Sequence, residues 1–312
     1  MDKVRSPRNQ TLALTQQERE LFHSRVVTPI ADESFLTFEE IVNRTLCDNL
    51  FSLVNRLPEA IVDLLILDPP YNLDKNFHGA QFNHIDDQSY QAYLESWFVP
   101  LLRVLKPNAS VYLCGDWKGT LGLYNVMQKY TQLRNRITWQ REKGRGAQHN
   151  WKNSTEDIWF GTLGQEFYFN VDAVKIRRKV LAPYTHDGLP KDWEETKEGR
   201  FRLTHPGNFW DDLSVPYWSM PENTDHPTQK PEKLIARLIL ASCPPGGVVL
   251  DPFLGSGTTS VVSKKLGRQY IGIEQNPEYC LWAEKRLDRA SSEARIQGYE
   301  DGVFWERNAR HK

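Results

Sequence analysis

The 312-residue chain has 39 Lys and Arg against 40 Asp and Glu, a formal net charge of -1, and 39% hydrophobic residues. That is enough apolar material to bury a core as one large domain, or as one domain carrying a sizeable insertion. The charge balance excludes a globally basic polyanion binder, so any nucleic-acid surface has to be a local patch.

Four cysteines (Cys47, Cys114, Cys243 and Cys280) lie far apart, without the close pairs of a zinc site or the density of a secreted disulfide scaffold. A reducing cytoplasm is the expected setting, and no metal is expected. No apolar run approaches the roughly 20 residues of a membrane span, and MDKVRSPRNQ has no hydrophobic signal core, so no membrane partner is expected.

Residues 1–13 are polar and expected to be loose. Thr15 and Glu18 have capping-box spacing at the start of TQQERELFHSRV, a predicted helix within an N-terminal extension over 1–35. A catalytic half is expected over 36–142. It opens with a short strand near 42–46, Cys47-Asp48 and a helix over 50–56. LLIL at 64–67 lacks period-2 alternation and reads as a strand covered on both faces. It stops at Asp68-Pro69-Pro70-Tyr71. Tandem prolines remove two backbone donors and end the ladder, while leaving their carbonyls free to accept. Alone, this is either a strand-ending turn or a rigid mount for chemistry.

QSYQAYLESWFVPLLRVLK has helical spacing, with Pro100 expected to kink or divide it; SVYLC, a helix over 121–130 and a strand over 136–139 follow. Strands alternating with helices predict an α/β fold, a doubly wound and mostly parallel sheet. From 143 to 225 the alternation dissolves, and an insertion is expected there, with a strand at IWFGTL. Regular structure resumes over 226–290. In KPEKLIARLILAS, Pro231 suits a first turn, and Leu234, Ile235, Leu238 and Ile239 share one apolar face. The strand VVL, the turn DPFLGSGTT, a helix, the strand YIGIE and the helix NPEYCLWAEKRLDRA form a β-α-β unit. The charged tail over 291–312 is expected to fray.

In DPFLGSGTT, Gly255 and Gly257 stand between a strand and a helix, where missing side chains let a ligand approach the backbone. A tight turn is the plain alternative. No Gly-Lys-Ser/Thr follows, against a phosphate loop, and Glu274 ends the next strand 23 residues after Asp251. That spacing suits a carboxylate accepting from ribose hydroxyls, so an adenosine-containing ligand is favoured.

DPPY at 68–71, HPTQKP at 226–231, DPFLGSGTT at 251–259 and Glu274 together resemble the S-adenosylmethionine-dependent DNA amino-methyltransferases, adenine-N6 or cytosine-N4, over about residues 40–290. The order of blocks, catalytic first, target recognition between and cofactor last, resembles the beta subgroup. FNVDAVK at 169–175 is similar to a segment of its adenine methylases. The resemblance implies a Rossmann-like methyltransferase fold with circularly permuted motifs and a target-recognition region at 143–225.

It further implies a catalytic Asp68, Pro69, Pro70 and Tyr71. Direct methyl displacement needs acceptors for the amine hydrogens, here the Asp68 carboxylate and the Pro69 carbonyl, with Tyr71 stacking on a flipped base. The cofactor residues implied are Glu274 on the ribose and Phe253, Gly255, Ser256, Gly257 and Thr258 around the methionine, with Asp68 and Asp251 nearby; Asp48 is either beside the adenine ring or a solvated turn carboxylate. Lys230 is expected to pair with the methionine carboxylate, and Thr228 and Gln229 to complete that loop. Trp97 and Phe98 are either pocket wall or core.

Between Arg134 and Lys152 six cations face the single acid Glu142. Beside an insertion, such a run marks either a solvated face or a phosphate-contacting loop. The candidate contacts are Arg141, Lys143, Arg145, His149 and Lys152, with Lys175, Arg177 and Arg178 as a second cluster. Double-stranded DNA is the expected partner, and a homodimer and a cognate restriction endonuclease follow from the resemblance. Aspartate at 68 tilts the base toward adenine, since cytosine enzymes more often carry serine. Glutamine or ribosomal-RNA amine methylation shares the tetrapeptide but usually has the opposite block order, and a DNA-binding protein with a vestigial cofactor fold is the non-enzymatic alternative.

Overall fold

The apolar run at 64–67 becomes a central strand because both of its faces are covered. In the computed structural model, which describes residues 6–29, 34–73, 75–77, 80–141, 148–181, 184–187, 189–197 and 199–307, it lies inside an eight-stranded sheet. In chain order the strands are β1 (Arg44–Cys47), β2 (Val62–Leu67), β3 (Leu105–Gly115), β4 (Gln132–Gln140), β5 (Thr155–Thr162), β6 (Phe209–Trp210), β7 (Val248–Asp251) and β8 (Gln269–Glu274). They are arranged β1-β8-β7-β2-β3-β5-β4-β6. All pairings from β1 through β3 are parallel, as is β4 with β6, whereas β5 is antiparallel to both neighbours. The chain therefore forms the expected α/β, mostly parallel sheet.

Leu65 and Leu67 pack on one face with Leu94, Trp97, Leu123 and Val126. Leu64 and Ile66 pack on the other with Ile235, Leu238 and Ile239. All four strand residues are fully or almost fully buried, each contributing about 2 kcal/mol of transfer free energy. Trp97 and Phe98 belong to this core. Pro100 does not divide its helix: Asp87–Leu101 runs unbroken, the proline falling in the last turn.

Three boundaries differ from expectation. β5 and β6 fall within the stretch expected as an insertion, yet both are strands of the central sheet. Their apolar residues Ile158, Phe160 and Trp210 are buried in its core. The described part of the tail, up to residue 307, is tied to the body of the protein. Val303–Trp305 runs parallel to Ile176–Lys179, with Phe304 opposite Ile176, in a five-stranded sheet completed by Glu194–Thr196, Gly199–Thr204 and Tyr299–Glu300. The described part of the N-terminal segment is also anchored: Leu12 is buried, and the Gln10 and Leu12 amides donate to the carbonyls of Trp218 and Asn223. The Thr15–Glu18 capping box forms as expected.

Helix Glu232–Ser242 is buried along its whole length rather than on one face. Its polar side meets a second charge layer. Arg237 lies between the rings of Trp210 and Phe304, 4.8 and 5.0 Å from their centroids, and donates to both oxygens of Asp212 at 3.1 and 2.8 Å. Lys233 donates to the same carboxylate at 2.8 Å. Burial alone would raise the Asp212 pKa; the Arg237 and Lys233 charges instead hold it well below the usual carboxylate range. All four cysteines are free thiols. Among the described residues no helix is long and apolar enough to cross a membrane.

Candidate active site

Parallel strands deliver their carboxyl ends to one edge of the sheet. Cys47 stands opposite Glu274, Asp251 opposite Gly272, and Leu67 opposite Leu113. Asp48, Asp68, Asp251 and Glu274 consequently line a single crevice of about 810 Å³, the place where open α/β sheets bind ligands.

The Asp68-Pro69-Pro70-Tyr71 mount is braced from behind. The Tyr90 hydroxyl reaches the Pro70 carbonyl at 3.4 Å. The buried Asn72 amide accepts from the Ile85 amide and donates to its carbonyl, both at 2.8 Å. Tyr71 donates its hydroxyl to Asp68 Oδ1 at 2.9 Å, with Glu156 Oε2 at 3.3 Å. Lys230 Nζ donates to both Asp68 oxygens at 2.7 Å and to the Tyr71 oxygen at 3.0 Å, and lies 3.3 Å from Glu156 Oε2. Lys230, expected to pair with a methionine carboxylate, here has its ammonium held by the Asp68 carboxylate. Burial would lower its pKa, but Asp68 and Glu156 outweigh that and raise it. Burial and the same two carboxylates push the Tyr71 hydroxyl well up, so it stays a neutral donor.

On the opposite wall Gly255 has φ +55, and a Cβ there would stand 3.0 Å from His226 Nε2. Its amide donates to Glu274 Oε2, and that of Asn276 to Oε1, both at 2.8 Å. Gly257, at φ +84, does not face the crevice as expected. A Cβ there would meet the Ala283 Cβ at 2.6 Å, so this glycine admits close packing of helix Pro277–Ala290. Arg286 on that helix donates to the Ser256 carbonyl and to Thr258 Oγ1, both at 2.9 Å. Thr258 Oγ1 in turn reaches the Lys230 carbonyl at 3.2 Å, tying the HPTQKP loop to the glycine loop. Phe253 lines the crevice with its ring edge-on to Trp97 at 4.9 Å, and Asp48 accepts from the Asn49 amide at 2.7 Å.

Asp251 spends both oxygens on the strand-to-helix turn, accepting from the Phe253 amide at 3.0 Å and the Thr259 hydroxyl at 2.5 Å. Burial pushes its carboxyl up to about 7, although both donors act against that. The unfolded chain titrates this group near its ordinary value of about 4, so the folded state holds an extra proton between the two values. The associated stability is full below about pH 4 and is lost as pH rises through about 7. The stability of the wild type relative to Asp251→Asn should therefore fall between about pH 4 and about pH 8. Urea unfolding at both pH values, with no change in that difference, would contradict the assignment.

A family model described as a DNA methylase, of the N6/N4 type, matches residues 62–285. The chain belongs to the N6/N4 DNA methylase family. It is 33% identical over 248 residues to the type II methyltransferase M.HpaI of Haemophilus parainfluenzae, covering 78% of this chain and 74% of that protein. It is 35% identical over 253 residues to the DNA adenine methyltransferase YhdJ of Escherichia coli strain K12, covering 76% and 80%. Among solved structures, the cytosine-N4-specific PvuII DNA methyltransferase shares the fold with a TM-score of 0.58 at 17% identity, over 80% of this chain and 92% of that one. The M1.HpyAVI-SAM complex does so with a TM-score of 0.51 at 24% identity, over 78% and 98%.

Three site residues carry no motif signal. Glu156 comes from β5, far from the Asp68-Pro69-Pro70-Tyr71 tetrapeptide in sequence, and Arg286 lies under the glycine loop on a helix that reads as ordinary amphipathic. Asn72 sits one residue beyond the tetrapeptide and reads as a turn residue. The facing ends of β4 and β5 lie at the crevice edge, where Gln140 pairs with Thr155 and Gly115 with Asp157. Between these strands in sequence, His149 and Lys152 are exposed, beside Trp151 at 97% exposure. Lys143 and Arg145 lie outside the described residues. Arg141 turns inward instead, its guanidinium paired with Glu156. The second basic cluster is likewise internally paired. Lys175 meets Asp172 at 2.7 Å, Arg178 meets Glu306 at 3.5 Å, and Arg177 meets Glu194 at 3.2 Å while lying against the rings of Phe201 and Trp305. Asp172 and Glu194 are themselves largely exposed, so these are surface ion pairs beside the five-stranded sheet and its C-terminal strand.

Proposed function

We propose that the chain transfers a methyl group from S-adenosylmethionine to the exocyclic N6 amine of an adenine flipped out of double-stranded DNA at a short specific sequence. The observation that carries this reading is the braced Asp68-Pro69-Pro70-Tyr71 mount facing Gly255 and Glu274 across one crevice. The residues present suit such a cosubstrate. Gly255 leaves open space where a side chain would crowd His226, and Glu274 stands at the strand end with a carboxylate able to accept further bonds. When bound, S-adenosylmethionine supplies an electrophilic methyl group on a sulfonium.

The chain's own residues align and polarise the amine. Asp68 Oδ1 is shared by Lys230 and Tyr71, whereas Oδ2 receives Lys230 alone, which leaves Oδ2 the freer acceptor for an amine hydrogen. The Pro69 carbonyl, on a stiff backbone, is the second acceptor. Together they favour a tetrahedral nitrogen whose lone pair points at the methyl. Lys230 lies 5.4 Å from the Tyr71 ring centroid and 3.0 Å from its hydroxyl, so it sits at the hydroxyl end of the ring.

Support for adenine comes from aspartate at position 68 and from the relative named as a DNA adenine methyltransferase. A cognate restriction endonuclease and a homodimer belong to the same proposal, the first in line with the type II name of the other relative. Expression in a methylation-free host, followed by mass spectrometry of hydrolysed genomic DNA, should yield N6-methyldeoxyadenosine. N4-methyldeoxycytidine would replace the base, and no modified nucleoside would end the proposal.

Glu274→Ala should weaken S-adenosylmethionine binding by about 10- to 100-fold, the range for losing charge-assisted hydrogen bonds. A calorimetric titration with unchanged affinity would remove the ribose assignment.

A further inference from the structure

Glu156 is buried, 4% exposed, and bridges two cations. Oε1 is held by the Arg141 guanidinium, and Oε2 lies 3.3 Å from the Lys230 ammonium and 3.3 Å from the Tyr71 hydroxyl. Lys230, itself 7% exposed, is thus one ammonium placed between two carboxylates, Asp68 and Glu156. None of the motifs contains Glu156.

We infer that Glu156 is a positioning residue for methyl transfer: by sharing the Lys230 ammonium it keeps Asp68 from being neutralised and so preserves Asp68 as an acceptor for the amine hydrogens. The inference rests on the methyl-transfer reading of this crevice. A carboxylate that owned the ammonium alone would form a closed ion pair, with its remaining lone pairs weakened toward any further donor. With a second carboxylate on the far side, the ammonium is drawn from both directions, and surplus negative charge stays on the crevice face of Asp68. That charge is needed where the amine nitrogen turns positive as it bonds to the methyl carbon and the sulfur leaves with the bonding pair. Arg141 on the outer side satisfies the other oxygen of Glu156 and holds the side chain in reach.

Charge and shape can be separated here. Glutamine keeps the size of Glu156 without its charge, and aspartate keeps the charge with a shorter reach. Single-turnover transfer of tritiated methyl from S-adenosylmethionine to genomic DNA of a methylation-free host, with the purified full chain, reads the rate. Glu156→Gln should lower that rate by about tenfold or more, with S-adenosylmethionine affinity by calorimetry changed by less than about twofold and a folded circular-dichroism signal kept at the assay temperature. Glu156→Asp should be faster than Glu156→Gln. A Gln variant as fast as the Asp variant, or a loss matched by a fall in cofactor affinity, would overturn the inference.

The background Lys230→Met gives a second reading. There the two carboxylates face each other without an ammonium, so adding Glu156→Gln should raise the rate rather than lower it, whereas equal losses in both backgrounds would mark Glu156 as merely structural. If Lys230→Met gives no folded circular-dichroism signal, the Gln and Asp comparison alone decides. Failure of the wild type to label any DNA would sink methyl transfer itself; a labelling wild type with the wrong order of variants would sink only the role of Glu156.

Discussion

Asp68→Asn should lower methyl transfer by about 10²- to 10³-fold, the usual size of effect for removing one preorganised polar group at a developing charge, while S-adenosylmethionine still binds. The amide has one acceptor oxygen in place of two and turns an NH₂ toward either Lys230 or the substrate amine. Lys230, which donates to both Asp68 oxygens at 2.7 Å, would then compete with the amine for that single oxygen. Asp68→Ala should add a stability cost, because Lys230 would be left with Glu156 as its remaining carboxylate partner. Tritium incorporation measured beside calorimetric cofactor binding checks this. Turnover near wild type in Asp68→Asn would remove Asp68 from the chemistry, and parallel loss of cofactor binding would make it a structural residue.

The largest expected effect on stability lies away from the crevice. Asp212→Ala should cost about 3–5 kcal/mol, the range for removing one partner of a buried charge network. Arg237 is 1% exposed and Lys233 11% exposed, so neither can turn to water to replace the lost carboxylate. Arg237 also packs between Trp210 of β6 and Phe304 of the C-terminal strand. Losing its anchor should therefore loosen the tail first, giving earlier proteolytic cleavage after Ser291 than in the wild type. Urea unfolding supplies the magnitude, and a cost below about 1 kcal/mol would show that the cluster relaxes at no expense.

Much of the central fold was legible as a run of hydrophobic strands with helices between them, and the crevice as the set of residues that follow those strands. LLIL announced burial on both faces, and Leu64 and Ile66 do point away from Leu65 and Leu67 into separate clusters. The limits of the insertion were not legible. β5 mixes Asp157 and Trp159 into its apolar pattern, and its place between β3 and β4 depends on antiparallel pairing, which leaves no local mark. The anchoring of the described tail is hidden in the sequence for a related reason. Its anchors, Ile296, Phe304 and Trp305, are few and set among charges, and they count only once Ile176 and helix Glu232–Ser242 are there to receive them.

By itself the sequence determined the class of sheet, the strand ends that line the crevice and the residue types at its centre, because period, proline and glycine act within a few residues of chain. Only the tertiary structure decided where charge goes. It placed Lys230 on Asp68, brought Glu156 from a distant strand to share it, and turned Arg141 into a partner of that buried acid. An ion pair depends on distances of about 3–4 Å between groups remote in sequence, and no local pattern encodes such distances.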